Sequence, residues 1–263
     1  MPDIDTEQIG IAFDMSGCPN RCRHCWLGPA SERTMTAEDV RWGAQRFREY
    51  FESDKAGSKK LTVTTWFREP DFTEDYRRLY ALEEELSDGP PARFELLSIW
   101  RLARDDGYAE WAKSVGTDSC QVTFFGLEAT NDWFHRRRGA FADALSATDR
   151  LLKAGVKPRW QLFLSTKVLS ELVDFTEMVE RLELKKRVQY LGAEFEIFAH
   201  LPGPDYEGRK IESLRPTVEQ LQSIPQVLTA ASQRHFGRQT LWHSEGTLHS
   251  QIRAGSTGRD GAL

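Results

Sequence analysis

Ile9-Gly10-Ile11-Ala12-Phe13-Asp14-Met15-Ser16-Gly17-Cys18-Pro19-Asn20-Arg21-Cys22-Arg23-His24-Cys25 is the stretch from which the architecture of this 263-residue chain is read. Ile9 to Met15 reads as a first β-strand running straight into a loop of three cysteines spaced C-x3-C-x2-C. Thiolates are soft ligands that suit iron–sulfur clusters and zinc. Closed structural zinc takes four ligands, whereas this loop offers three sulfurs. A cubane cluster held by three cysteines leaves one iron open to another ligand. Arg21 and Arg23, set between the thiols, would favour thiolates and offset the negative charge of the assembly. The fourth cysteine, Cys120, stands alone far downstream, so the chain lacks the spread pattern of a disulfide framework.

Working outward, strand-like and helix-like runs alternate. Thr36 to Phe51 has helical spacing of Val40, Ala44, Phe47 and Phe51, with Thr36 as cap. Leu61 to Phe67 is a second strand, ended by Pro70, and Thr73 to Leu86 a helix stopped by Asp88-Gly89-Pro90-Pro91. Phe94 to Trp100 reads as a third strand, Gly107 to Val115 as a short helix, and Gln121 to Phe125 as a fourth strand. A helix from Ala140 to Ala154, ended by Gly155, precedes a fifth strand, Arg159 to Ser165. Leu169 to Leu182 is helical and Ala193 to Phe198 a sixth strand. Six βα repeats predict an α/β fold, a partial, open parallel (β/α)6 TIM-like barrel with a short C-terminal extension. The core spans 1–203. In the extension, 204–263, Thr217 to Phe236 gives one or two helices around Pro225, and Gly255 to Leu263 reads as disordered.

The cysteine loop directly after a first strand resembles the signature of the radical S-adenosylmethionine superfamily, as a single-cluster member without a C-terminal auxiliary-cluster domain. Further segments carry the resemblance. Phe67-Arg68-Glu69-Pro70 stands where the family has Gly-Gly-Glu-Pro, keeping the Glu-Pro half. Phe125-Gly126-Leu127-Glu128 through Arg138-Gly139 resembles the strand-four segment, and Leu164-Ser165-Thr166 with Glu171-Leu172 the strand-five stretch. The likeness covers residues 9 to 203. It implies a [4Fe-4S] cluster on Cys18, Cys22 and Cys25, whose open iron chelates S-adenosylmethionine. It also implies cofactor contacts from His24, Trp26, Glu69, Glu128, Arg138, Ser165 and Thr166: Glu69 on the methionine amino group, Ser165 and Thr166 near the ribose, and His24 or Trp26 beside adenine. Two departures stand out: His24 replaces the usual aromatic residue, and Arg68 falls near where methionine would lie.

The implied activity is reductive cleavage of S-adenosylmethionine to a 5′-deoxyadenosyl radical that abstracts hydrogen from a small-molecule or peptide substrate. A low-potential electron donor, flavodoxin or ferredoxin, is the implied partner. Two alternatives stay open, an activase of a glycyl-radical enzyme and a non-catalytic zinc-binding module completed by His24 or Cys120. Taken by themselves, Cys120 reads as a small buried hydrophobe, Arg136 to Arg138 as a solvated basic face, and Trp42 and Trp111 as core. Trp66, Trp100 and His200 sit near strand ends, where a pocket would open. A formal net charge of −5 argues against a broad nucleic-acid surface. With no bilayer-length apolar run and an acidic start at Met1-Pro2-Asp3-Ile4-Asp5, the reading is a cytoplasmic protein without membrane contact.

Overall fold

The computed structural model describes residues 8–28, 35–52, 60–91, 95–203 and 205–254. Strand β1 (Gln8–Ser16) pairs in parallel with β2 (Lys60–Phe67), from Gln8 opposite Lys60 to Asp14 opposite Trp66, and a bulge then sets Ser16 against Phe67. The crossover is helix α1 (Ala37–Glu52), whose start is fixed by Thr36. The Thr36 hydroxyl accepts from the Asp39 N–H at 3.1 Å while the Asp39 carboxylate accepts from the Thr36 N–H at 2.8 Å. Val40 and Ala44 of α1, Leu82 of α2 (Tyr76–Leu86) and Phe13, Met15, Leu61, Val63 and Phe67 of the strands form one apolar core. Parallel pairing needs such a covering helix, because tight turns cannot join parallel strands.

The second sheet holds β3 (Ser119–Phe124), β4 (Lys157–Phe163) and β5 (Glu196–His200), all parallel and in that order. Between β2 and β3 lie α2 and two short helices, α3 (Ile99–Leu102) and α4 (Tyr108–Ser114). Between β3 and β4 lie α5 (Glu128–His135) and α6 (Ala140–Lys153). From β4 to β5 run α7 (Thr166–Leu169), α8 (Leu172–Arg181) and α9 (Leu184–Gln189). The larger core centres on Phe124, Trp160, Leu162 and Phe175, and the buried Trp160 indole donates to Thr148 Oγ1 at 3.1 Å.

The fold is therefore mixed α/β with parallel sheets, but six strands are not found: the described residues hold five, in sheets of two and three. Of the expected third strand, Phe94 lies outside the described residues and Ser98 is the N-cap of α3, its hydroxyl accepting from the Arg101 N–H. The Glu95 carbonyl, taking the Gln121 N–H at 2.8 Å, and the Glu95 carboxylate, taking the Ser119 hydroxyl, keep the segment beside β3. Arg101 then donates to the Asp71, Phe72 and Thr73 carbonyls, drawing the chain off the sheet. The run from Leu169 to Leu182 is likewise two helices, interrupted at Ser170-Glu171. Trp42 was expected in the core and is 68% exposed; Trp111 does pack against the core.

After β5 the chain forms a 3-10 segment (Tyr206–Leu214), then α10 (Val218–Leu221), α11 (Gln226–Phe236) and α12 (Glu245–Arg253). Ser232 of α11 accepts the Ala199 N–H of β5 at 2.8 Å, and Leu221, Ile224 and Leu228 enter the larger core. Pro204 and the run Gly255 to Leu263 lie outside the described residues. Among the described residues no helix is long and apolar enough to cross a membrane.

Candidate metal and cofactor site

At the end of β1 the backbone turns sharply into the cysteine loop. Ser16 and Gly17 both take left-handed conformations, φ 58° and 71°, and the Ser16 N–H is held by Asp14 Oδ1 at 2.8 Å. Gly17 is required twice over: its φ suits glycine, and a Cβ there would stand 2.7 Å from the Phe72 ring. Beyond it, the Cys25 N–H bonds to the Cys22 carbonyl and the Gly28 N–H to the Cys25 carbonyl, each at 3.2 Å, so the loop winds in two successive turns.

Helix α5 anchors this loop. A helix leaves its last carbonyls unpaired, and here the loop supplies the donors. The Arg21 N–H bonds the His135 carbonyl at 3.2 Å, the Arg23 N–H the Phe134 carbonyl at 2.8 Å, and Arg23 Nε the Trp133 carbonyl at 3.0 Å. The Arg23 guanidinium also lies 4.0 Å from the centre of the Trp133 ring. Cys18, Cys22 and Cys25 are thereby presented together as free, half-buried thiols. Burial, then the nearby Glu69 carboxylate, pushes Cys18 up to about 12. Burial, then the fields of Cys18 and Cys25, raises Cys22 well above the ordinary thiol value. Each of these two thiols thus feels other members of the set.

Glu69 is 8% exposed, just past β2. Its Oε1 accepts from Ser98 Oγ at 3.0 Å and from the Trp100 N–H at 3.1 Å, so the carboxylate also braces the start of α3. Burial is the chief influence on it and raises its pKa, partly offset by those donors and by Arg137. Arg68, whose position near methionine stood out in the sequence, turns instead toward the cysteine loop. Its Nη1 donates to the Leu27 carbonyl and, at 2.9 Å, to that of Gly28, while its buried Nε has no hydrogen-bond partner.

Of the three consecutive arginines, Arg137 reaches the loop: Nε donates to Asn20 Oδ1 at 2.6 Å and Nη1 to Asp143 at 2.5 Å. Arg138 is exposed, as is Glu128 in the first turn of α5. The carboxylate in that region is Glu171, which takes the Leu127 N–H at 2.7 Å and the Thr130 hydroxyl and ties the β3–α5 loop to α8. Its nearness, 2.3 Å from where a Cβ would sit, and a φ of 106° leave only glycine at Gly126.

His24 packs its ring on Phe125 and Phe163 with centroids 4.4 and 4.9 Å away. Burial, then the charge of His135, lowers its pKa to about 3, and its Nδ1 is buried without a partner. Trp26, by contrast, is 61% exposed. Ser165 is 2% exposed with an unpartnered Oγ, and Thr166 follows as the first residue of α7. Ser165 lines a small cleft with Pro202, Gly203, Ile211 and Arg215. Cys120 is fully buried in β3, as a small hydrophobe would be. His200 lies at the exposed end of β5 against Phe163, Trp66 faces Asp14 in the β1–β2 register, and Trp100 lies under Arg104.

Among the described residues no group of three or more His, Cys, Asp or Glu stands ready to hold a metal ion. A cubane places each thiolate on a different iron and so asks for more widely set sulfurs than one ion does. Three thiols on one loop, within each other's fields, fit that donor set.

No protein-family model matches the chain, and no curated protein matches it in sequence. Solved structures do resemble it. Streptococcus suis SuiB bound to precursor peptide SuiA aligns over 87% of this chain and 47% of its own, at 14% identity and a TM-score of 0.47. SuiB bound to S-adenosylmethionine aligns over 86% and 48%, at 13% identity and a TM-score of 0.45. This chain spans about half the length of those structures.

Proposed function

We propose that this chain is a radical S-adenosylmethionine enzyme. The observation that carries the reading is the loop of Cys18, Cys22 and Cys25, set directly after β1 and anchored on α5, with Glu69 and Arg137 beside it. A [4Fe-4S] cluster held there would supply the one-electron chemistry by which bound S-adenosylmethionine is reductively cleaved. Cys18, Cys22 and Cys25 would hold three of the cluster's irons. Arg137, through Asn20, fixes the stretch between the first two thiols and places a positive charge beside an anionic assembly. Glu69 would receive the methionine amino group, a task suited to a carboxylate already oriented by Ser98 and Trp100.

His24, stacked on Phe125 and Phe163, would form one wall for adenine; its depressed pKa keeps it neutral, so it adds no cation there. Ser165 brings an unpartnered buried hydroxyl for the ribose. Glu128, Arg138 and Trp26, which lie exposed, are weaker candidates than Glu171 and Arg137 for shaping the pocket. The substrate is a small molecule or peptide, and a reduced flavodoxin or ferredoxin would provide the electron. Anaerobic reconstitution followed by chromatography for 5′-deoxyadenosine under dithionite tests this. The expected result is slow cofactor cleavage even without substrate; a loaded cluster that neither binds nor cleaves S-adenosylmethionine would refute it.

A further inference from the structure

The cysteine loop and the end of α5 together gather five arginines on a chain of formal net charge −5. Residues 18–28 contain Arg21 and Arg23 and no acidic residue; residues 133–142 contain Arg136, Arg137 and Arg138 and are bordered by Asp132, which accepts the Gly139 and Phe141 N–H groups, and by Asp143. The backbone bonds from Arg21 to His135 and from Arg23 to Phe134 clamp these two segments side by side. Lys167 joins them, its ammonium 4.9 Å from the Trp133 ring on which Arg23 also stacks. Arg137 is engaged by Asp143, and Arg136 meets Glu207 at 3.5 Å. Arg21, Arg138 and Lys167 are exposed and, among the described residues, have no carboxylate within ion-pair distance. Concentrating like charges costs stability unless an outside partner compensates them.

A second observation separates this surface from an ordinary solvated face. Trp26, next to Cys25, is 61% exposed, and Tyr206 is 69% exposed while lying along Gly28, where a Cβ would meet its ring at 3.4 Å. Large aromatics among arginines are the composition of protein–protein interface cores.

The geometry points to this basic, tryptophan-bearing surface as the docking site of a small acidic electron-carrier protein. The inference rests on the reading of Cys18, Cys22 and Cys25 as cluster ligands and adds where the electron arrives. The cations alternate with the thiols, Arg21 between Cys18 and Cys22 and Arg23 between Cys22 and Cys25, so a partner held by them sits against the ligand loop itself. One electron leaves the reduced carrier, which is oxidised, and reduces the cluster; no bond to the carrier forms. Charge of this sign steers an acidic partner to the loop, while the acidic remainder of the chain turns it away elsewhere.

The test uses the reconstituted chain, a flavodoxin as probe, and the double variant Lys167→Glu/Arg136→Glu, with Arg181→Glu on α8 as a remote charge-reversal control. Flavodoxin binding is measured directly, and 5′-deoxyadenosine formation is followed with reduced flavodoxin and separately with dithionite. The double variant is expected to bind flavodoxin about tenfold more weakly or worse and to slow only the flavodoxin-driven reaction. The control should match the parent chain, whose binding should weaken as ionic strength rises from about 0.05 to about 0.3 M. Equal binding by parent and double variant, or no flavodoxin binding at low salt, overturns the proposal. Loss of the dithionite-driven reaction in the double variant also overturns it, by placing these cations in substrate or cofactor binding. If dithionite yields no 5′-deoxyadenosine in the parent chain, the enzymatic reading fails, and the binding measurement alone decides the surface: salt-sensitive binding lost on charge reversal supports it, and its absence overturns it.

Discussion

Glu69 is buried because two donors, Ser98 Oγ and the Trp100 N–H, hold one of its oxygens. Glu69→Ala would leave both donors unsatisfied, at a cost of about 1–3 kcal/mol for a buried polar group without its partner. Glu69→Gln retains a carbonyl acceptor and should cost less. Urea midpoints of the cluster-free protein measure this structural share apart from any loss of cofactor binding, and equal midpoints for all three chains would show that the bracing of α3 contributes nothing. The histidines give a pH test. His135, its Nδ1 2.9 Å from the Asn131 carbonyl, is lowered to about 4 chiefly by burial, from an ordinary 6.5. It stays neutral in the fold while the unfolded chain takes up the proton, so stability falls as pH drops from 6.5 toward 4. His24, lowered to about 3, acts in the same direction. His135→Phe should flatten the urea-midpoint profile between about pH 6.5 and 5, above the range where unfolded carboxylates titrate; an unchanged slope would contradict the assignment. The thiols and Glu69 were legible as residue types at telling spacings, but side-chain direction was not. Arg136 and Gly139 both take positive φ, 51° and 81°, so neighbouring arginines diverge and Arg137, not the motif-matched Arg138, meets Asn20. The sequence marks Glu171 only as part of a strand-five likeness, since its bond to Leu127 spans 44 residues.

The element that sets the site is α5, whose last carbonyls receive the cysteine loop. Its eight residues lie between Gly126 and Gly139 and read in the sequence as part of a loop. Strands β1 and β2 and helices α1 and α6 were legible because their apolar spacing and end signals agree. Thr36 caps α1 as expected, and Gly155 follows α6 with φ 75°. The third strand failed because tertiary donors overrode an apolar run: Ser98 capping and the three carbonyl bonds of Arg101 favour a helical turn over pairing. No sequence pattern marks the 3-10 segment Tyr206–Leu214, which lies against the cysteine loop. A Cβ at Gly208 would stand 2.1 Å from the Gly203 carbonyl oxygen and 3.9 Å from that of His24. Backbone cannot rotate away as a side chain can, so Gly208→Ala should displace the segment. Limited proteolysis is expected to cut the variant within residues 206–214 faster than the parent chain. Unchanged cleavage, with an unchanged urea midpoint, would mean that the contact is easily relaxed.

Across the whole molecule, two parallel sheets have separate apolar cores, and the loop that carries three of the four cysteines leaves β1 of the first and is anchored on α5, which follows β3 of the second. The fourth, Cys120, lies fully buried in β3, where burial pushes its thiol up to about 12 and its Sγ faces the Gln121 carbonyl at 3.6 Å. A thiol so placed packs as a small hydrophobe, and replacing it by alanine should cost little beyond packing. The four cysteines should therefore divide three to one. Iron and sulfide counted per chain after anaerobic reconstitution, in the parent protein and in each single Cys→Ala variant, decide the matter. About four irons and four sulfides are expected in the parent and in Cys120→Ala, the content of one cubane. Cys18→Ala, Cys22→Ala and Cys25→Ala should each lose or degrade the cluster. Stoichiometric zinc with no iron uptake would contradict the reading, as would a Cys120→Ala protein that loses the cluster while a loop variant keeps it.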